Sequence, residues 1–280
     1  MKKGRAIVVW ILAAIIVGTG VISALRRHDP VYQDKRLSEW IDELDSPGLK
    51  SSQAIGAIRE IGTNAVPYLV QSLRASDSPL QTKLVQLARM QNIVRLPFRP
   101  AQEHQSAVLK AFYFLGADAK SAIPALNKLL NSPRTSYTAI TALFGIGNEA
   151  VPALTEACNH TNPSVRSYAA LVLSVLRRGG DLVSTAPTTA RSNSIQLPPF
   201  SFAFGEEDIL SVTDGLYDPQ PGVRRASAEA LVAHSFAPKP SVVTARLLEL
   251  LMDSDKAVRE ATAKALKIID PDAAAKAGVK

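Results

Sequence analysis

The sequence predicts an all-α protein, and three observations support this class. Of its 280 residues, 46% are apolar but only 6% are aromatic, a balance more typical of packed helices than of a β-sandwich or barrel. Segments rich in alanine, leucine and isoleucine recur along the chain, and several end at a glycine shortly before a proline. The single cysteine, Cys158, excludes an intramolecular disulfide and a four-cysteine zinc site. The fold must therefore be held together by a hydrophobic core.

The first 27 residues form a separate segment that we expect to anchor the chain in a membrane. The uncharged run from Ala6 to Leu25, which includes Trp10 and Ile15, would span about 30 Å as a helix, the thickness of a bilayer's hydrocarbon core. This run is longer than that of a usual signal peptide, and Ile22-Ser23-Ala24 is a poor cleavage site, so an uncleaved single-pass anchor is favoured. Basic residues lie on both sides, but a short basic tail before the span favours a cytoplasmic amino terminus and an extracytoplasmic body.

The formal charge of +7 is distributed unevenly along the chain. Residues 1–27 carry five bases and no acid, which leaves 27 bases against 25 acids in the remainder. Residues 119–205 carry seven bases and three acids, residues 28–118 are balanced, and residues 206–280 carry ten bases and twelve acids. We therefore expect an acidic protein partner to bind the middle segment, with Arg134, Arg177 and Arg178 as the candidate contacts.

A corner that contains a glycine and then a proline recurs between the predicted helices. The segment from Ile61 to Pro67 is matched at five of its seven positions by the segment from Ile146 to Pro152, and a looser third copy follows Leu115. Glycine accepts the left-handed conformation that ends a helix, while proline is tolerated in the first helical turn, where its missing N–H has no helical partner. Each copy therefore predicts a helical hairpin, with these structural positions: Gly62, Pro67, Gly116, Pro124, Gly147 and Pro152.

A second phrase begins a helix after a polar corner in the carboxy-terminal part of the chain. Val223-Arg224 and Val258-Arg259 lie 35 residues apart, each five residues after an aspartate and shortly before alanines at helical spacing. Val165-Arg166 begins a third copy. The valine begins the apolar face of the helix, and the alanines allow neighbouring helices to approach closely.

Both phrases resemble HEAT repeats, over about residues 50 to 275. The resemblance implies an α-solenoid of about five or six antiparallel helix pairs, because a single hairpin cannot bury its apolar face alone. It also implies that Arg166, Arg224 and Arg259 are structural. The segment from Pro30 to Trp40 is similar to a leader that precedes HEAT repeats in some bacterial membrane-anchored proteins, although Asp34 stands where a glycine is expected.

These features divide the chain into an anchor (1–27), a leader and capping helix (28–50), HEAT-like repeats (51–178), a Ser/Thr/Pro-rich loop (179–205) and further repeats (206–280). The leader predicts a short amphipathic helix whose apolar residues cap the open end of the solenoid: Leu37, Trp40, Ile41 and Leu44. Residues 78–100 depart from the repeat, with a helix predicted from Leu80 to about Arg95 and a proline-bounded link after it. Three phenylalanines alternate near the end of the loop, at 200, 202 and 204, as in a short strand or an apolar tether.

The sequence carries none of the common catalytic signatures. It has no phosphate-binding glycine loop, His-Glu-x-x-His helix, nucleophile elbow or Cys-x-x-Cys pair, and Cys158 with His160 offers at most two metal ligands. We expect no catalytic residue, metal, cofactor or small-molecule substrate. An acid-free run contains four bases, Lys83, Arg89, Arg95 and Arg99, which is a weak footprint for nucleic acid, so no nucleic-acid partner is expected.

The sequence therefore favours a membrane-tethered, non-catalytic scaffold that binds a protein partner through a HEAT-like solenoid. The alternative from another class is an enzyme of the HEAT-like phycobilin-lyase type, which would need a chromophore pocket with a positioned acid or histidine. A nucleic-acid-binding HEAT-like protein is a third alternative with less support.

Overall fold

A computed structural model of the chain describes residues 29–74, 101–178, 212–233 and 241–279. These residues belong to two compact units, which divide between Leu115 and Gly116. Apart from one small hairpin, the regular structure of the described residues is helical. The predicted anchor, the helix predicted from Leu80 and the loop at 179–205 lie outside the described residues. The five or six predicted helix pairs also include residues outside the described ranges. Within the described ranges, no helix combines the length and apolar character needed to cross a membrane.

The first unit begins with a β-hairpin, which the all-α prediction omitted. Strand β1 (Val31–Tyr32) pairs antiparallel with β2 (Lys35–Arg36) across a two-residue turn. Gln33 and Asp34 have positive φ angles of +49° and +60°, the signature of a type I′ turn. Aspartate tolerates this left-handed position because its short polar side chain can bond locally to the backbone. Asp34 therefore occupies a position of the kind that favours glycine, the residue expected there.

Helix α1 (Leu37–Glu43) follows the hairpin directly and has the predicted amphipathic character. Its apolar side chains are at most 6% exposed: Leu37, Trp40, Ile41 and the following Leu44. Trp40 Nε1 donates a hydrogen bond of 3.1 Å to the Tyr32 carbonyl, and the Lys35 ammonium lies 4.4 Å from the centroid of the Trp40 ring. These contacts hold the hairpin against α1.

Two helices of the first unit are joined by a tight corner. They are α2 (Leu49–Ile61) and α3 (Val66–Arg74), and both helices pack against α4 (Ala101–Leu115). The corner between α2 and α3 is a 3₁₀ turn, Gly62–Ala65, and Pro67 lies in the first turn of α3. Helix α1 packs against α2 and α4, so the leader covers part of this unit's core.

The second unit contains a longer series of helices. Its described elements are a 3₁₀ turn (Gly116–Ala122), α5 (Ile123–Leu129), α6 (Ser136–Ile146), a 3₁₀ turn (Gly147–Ala150), α7 (Val151–Ala157), α8 (Pro163–Arg177), α9 (Pro221–Ala233), α10 (Ser241–Leu250), α11 (Lys256–Ile269) and α12 (Pro271–Lys276). Helix α6 packs against α8, α8 against α9, and α9 against α11. This ordered stack of successive helices is a helical-repeat fold, in which each element is stabilised mainly by its neighbours.

Small residues bring the helices of this stack close together. Ala226 and Ala230 of α9 and Ala265 of α11 are fully buried. Helix α8 is buried along its length, from Val165 to Leu176. A helix that is covered on all sides must be apolar or paired all round, which is why its one charged side chain in this range, Arg166, needs specific partners.

The corner glycines adopt a backbone conformation different from the one expected. Gly62 and Gly147 have φ angles of +56° and +82° but ψ angles of −134° and −143°. These angles lie in the mirror image of the extended region and not in the left-handed helical region, and only glycine enters that region readily. Each glycine is both the cap of one helix and the first residue of the following 3₁₀ turn, so the chain changes direction at this one residue.

Two alanine substitutions, one within α2 and one at the glycine that follows it, should therefore have opposite effects. Gly62→Ala should destabilise the protein by about 1 kcal/mol or more, because alanine is strained at this φ and ψ. Gly56→Ala, in the exposed middle of the same helix, should stabilise it by up to about 1 kcal/mol, because alanine is the better helix former. Neither new methyl group would have an atom within 4 Å, so the difference in unfolding free energy between the two variants reports on the backbone and not on packing. Denaturant unfolding measures both effects, and shifts of the same sign would contradict the backbone argument.

Candidate interaction surface

An arginine near the amino end of α8, of α9 and of α11 closes the corner that precedes each helix. Nη1 of Arg166, Arg224 and Arg259 donates in each case to the backbone carbonyls five and six residues earlier, at 2.7–3.0 Å. Charge-assisted hydrogen bonds of this kind satisfy carbonyls that no helix supplies with a donor. The Val-Arg phrase thus has the same local geometry in all three copies.

The first two of these arginines also reach the next repeat. Nε and Nη2 of Arg166 donate to the carboxylate of Glu229 on α9, at 2.8 and 2.6 Å. Arg224 makes the same bidentate contact with Asp253, in the corner before α11, at 2.8 and 2.9 Å. We call these two pairs, together with Arg259, the arginine ladder. The planar guanidinium fork matches a carboxylate in one orientation only, so each pair aligns one repeat with the next.

The electrostatics of the second pair favour its charged form. The side chains of Arg224 and Asp253 are only 11% and 7% exposed. The hydrogen bonds from Arg224 hold the pKa of Asp253 below the ordinary aspartate value near 3.8, with help from the backbone N–H of Asp255 and against the opposing effect of burial. Asp253 therefore stays ionised at neutral pH and keeps its partner.

Two of the three arginines predicted to bind a partner are paired within the chain. Arg177 donates to Asp218, whose side chain is almost fully buried, and Arg178 Nε donates to Asp214 at 2.9 Å. Both acids belong to residues 206–280, the acidic segment of the sequence. The excess of bases in residues 119–205 is thus partly neutralised by folding.

The third arginine precedes the amino end of α6, three residues before a tyrosine. Arg134 is exposed and has no partner among the described residues. Tyr137, three residues further on, is 49% exposed. Its ring stacks on that of Tyr168 from α8, with centroids 4.5 Å apart and an angle of 14° between the planes. We call Arg134 and Tyr137 the tyrosine patch.

Hydrogen bonds and burial hold the inner tyrosine of this stack in place. The Tyr168 hydroxyl lies 3.1 Å from Thr141 Oγ1, which itself donates to the Tyr137 carbonyl at 2.9 Å. The Thr141 hydrogen is used in that bond, so Tyr168 acts as the donor to Thr141. Burial raises the pKa of Tyr168 and keeps its hydroxyl protonated. Tyr137 therefore stacks on a ring, that of Tyr168, which burial and a hydrogen bond hold in place.

The contacts and burial of Cys158 and His160 are typical of structural residues. Cys158 is fully buried, and burial raises the pKa of its thiol to about 12. The two ring nitrogens of His160 contact Asn131 Oδ1, at 3.2 Å, and the backbone N–H of Asn162, at 3.1 Å. Among the side chains that the structure describes, no group of three His, Cys, Asp or Glu residues is placed to hold a metal ion.

Sequence reasoning identified the ladder arginines but not their carboxylate partners or the tyrosine stack. Glu229 and Asp253 lie 63 and 29 residues after their arginines, so no common sequence separation indicates the pairs. A weak signal for the stack exists, since a Ser-Tyr dipeptide stands near the start of both helices, at Ser136-Tyr137 and Ser167-Tyr168.

Comparison with known proteins identifies similar solved structures but no family for this chain. No family model and no curated protein matches the chain. Similar solved structures include an engineered protein (19% identity, 84% of this chain and 96% of the other, TM-score 0.29) and a second engineered protein (17%, 87% and 72%, 0.26). A designed armadillo repeat protein in complex with the peptide (KR)4 is also similar (15%, 84% and 99%, 0.28). Likeness at these TM-scores carries no argument about fold or function.

Acid should weaken the arginine ladder through Asp253. Because the pKa of Asp253 is lowered in the folded chain, its contribution to stability is complete above the ordinary value near 3.8 and is lost as the pH falls through the lower folded value. Asp253→Asn should cost about 1–3 kcal/mol at neutral pH, since it leaves Arg224 poorly paired. The stability of this variant should also fall less than that of the wild type on acidification below about pH 4. Denaturant unfolding across pH measures both effects, and parallel profiles for the two proteins would contradict the pairing.

Proposed function

We propose that the protein is a membrane-tethered, non-catalytic scaffold that binds a protein partner through the surface of a HEAT-like helical-repeat stack. The observation that carries this proposal is the tyrosine patch, where an exposed arginine and a half-exposed tyrosine lie three residues apart at one end of α6. Tyrosine and arginine are the residue types most enriched, with tryptophan, among the side chains that dominate protein–protein binding energies.

The stacking of Tyr137 supports a role of the patch in binding. Tyr137 stacks on Tyr168, which is buried and hydrogen-bonded to Thr141, so little side-chain freedom remains for a partner to remove. A surface that is already ordered loses less conformational entropy on association. A partner with an apolar side chain for the open face of Tyr137 and a carboxylate for Arg134 would complement the patch.

The HEAT-like character of the stack is supported by its repeated details. Three arginines close three corners in the same way, and the corner glycines adopt a conformation that only glycine enters readily. The tether is supported by the uncharged run between Ala6 and Leu25 and its basic flanks. We place the body on the extracytoplasmic side, following the short basic tail before the run.

The patch can be tested by photo-crosslinking the full-length chain in its native membranes and then measuring binding of the captured partner. Tyr137→Ala should weaken that binding by about tenfold or more, as expected for a tyrosine at the centre of an interface. Tyr217→Ala is the matched control, because Tyr217 is similarly exposed, at 56%, and also lies in a corner of the second unit. Equal binding by the two variants would contradict the patch, and the absence of any specific partner would contradict the proposed function.

The tether can be tested by deleting residues 1–27. The remaining chain should leave the membrane fraction and keep a helical circular dichroism spectrum, because the apolar run is separate from the repeats in charge and composition. Fractionation of cells that express the full-length and shortened chains makes the comparison. A shortened chain that stays with the membrane without aggregating would show a second attachment.

A further inference from the structure

In the repeat that contains α11, one position lacks, within the described chain, a contact that the two preceding repeats make with the repeat after them. In those repeats the residue seven positions before the ladder arginine touches the next repeat. Asn159 lies so close to Gly222 of α9 that a Cβ on this glycine would overlap its amide. Tyr217 lies 4.2 Å, from ring centroid to guanidinium carbon, from Arg246 of α10. The corresponding residue of the repeat that contains α11, Met252, is 87% exposed.

Arg259, the third arginine of the ladder, makes only part of the contacts that the other two make. Nη1 of Arg259 closes its own corner through the carbonyls of Asp253 and Ser254, at 2.7 and 3.0 Å. Its Nε and Nη2, the two nitrogens that bind a carboxylate in Arg166 and Arg224, have no acceptor within the described part of the chain. The contact with the corner fixes the guanidinium, so the fork is presented in the orientation that the ladder uses elsewhere.

The exposed face of α11, which carries this fork, is basic. Among the exposed and half-buried residues of α11, Lys256, Arg259, Lys264 and Lys267 are bases, whereas Glu260 is the one acid. Glu260 lies 3.6 Å from the Lys256 ammonium, one helical turn away. Pairing of two such faces from two copies of the chain would place bases against bases, which disfavours a symmetric dimer here.

We propose that this surface, which comprises Met252 and the exposed face of α11 with Arg259 and which we call the open end, docks an acidic helix of a protein partner. A carboxylate of that helix takes the place at Arg259 that Glu229, a helix residue, takes at Arg166. An apolar side chain beside it covers Met252, and the lysines favour approach of the negatively charged helix. The inference rests on the proposed function and adds to it a second surface and the chemistry of the partner segment.

A defined probe tests the open end. The probe is a synthetic helical peptide of alanine, leucine and glutamate, and its control has glutamine at every glutamate position. The purified full-length chain in mild detergent should bind the glutamate peptide at least about tenfold more tightly than the glutamine peptide, in fluorescence anisotropy at low and at physiological salt. Failure of the wild-type chain to bind the glutamate peptide would overturn the proposal.

Matched substitutions locate the site of binding. Arg259→Gln should weaken binding of the glutamate peptide by about tenfold, and Arg259→Lys should restore it only in part, because lysine lacks the planar fork. Arg59→Gln is the control, since Arg59 is an exposed arginine of α2 with no partner among the described residues. Met252→Ser leaves the corner contacts of Arg259 intact and should weaken binding several-fold with no change in unfolding temperature, which keeps the test valid if an Arg259 variant folds poorly.

The same measurements distinguish this inference from the proposed function. Loss of binding with Arg134→Gln and not with Arg259→Gln would place acidic recognition at the tyrosine patch, so the open end would be wrong and the scaffold function would stand. A single-stranded RNA of equal charge that displaces the peptide would overturn the proposal in favour of nucleic acid. Equal weakening by Arg259→Gln and Arg59→Gln would show non-specific attraction and would overturn it as well.

Discussion

The bidentate contact between an arginine of one repeat and a carboxylate of the next is the interaction on which the geometry of the second unit depends. Arg166 and Arg224 each bind two backbone carbonyls of their own corner and one carboxylate of the following repeat. One side chain therefore sets both the shape of a corner and the position of the next helix. Since the guanidinium is planar and its donors point in fixed directions, this contact restricts the rotation between repeats more than an apolar contact would.

Burial of apolar side chains stabilises the stack, and the ion pairs between repeats set its geometry. Partly buried ion pairs contribute little net stability, because the loss of hydration opposes their attraction. The stack is held together by the contacts of α8 with α6 and α9 and of α9 with α11, where alanines allow close approach. The ion pairs fix the register between successive repeats, because a shift of one repeat along the next would leave a buried charge such as Asp253 without its partner.

The two candidate surfaces differ in how the fold produces them. In the tyrosine patch, two helices of the stack place Tyr137 face to face with Tyr168, so packing within the fold orders this aromatic side chain. At the open end, the fork of Arg259 and the side chain of Met252 have no partner within the described chain, although the corresponding groups of the two preceding repeats are paired. A guanidinium held in one orientation allows one specific contact with a carboxylate.

The helical character of the described chain and the positions of its glycine-proline corners could be predicted from the sequence. Helical periodicity, Gly62 and Gly147 at helix ends, Pro67 and Pro152 in first turns, and the amphipathic leader all follow from local conformational preferences, which are visible in a single sequence. The β-hairpin was missed because its strands are two residues long and its turn uses Gln33 and Asp34 in place of glycine.

The pairing of charged side chains could not be predicted from the sequence and depends on the packing of the helices. The sequence contains an excess of bases in residues 119–205, but Arg177 and Arg178 bind acids from beyond that segment, and Arg134 alone of the three predicted contacts has no partner in the described chain. The partners of Arg166 and Arg224 and the stacking of Tyr137 on Tyr168 likewise join distant residues. Such contacts depend on how successive helices are rotated against one another, and this rotation is set by the packing of whole faces and not by local preference.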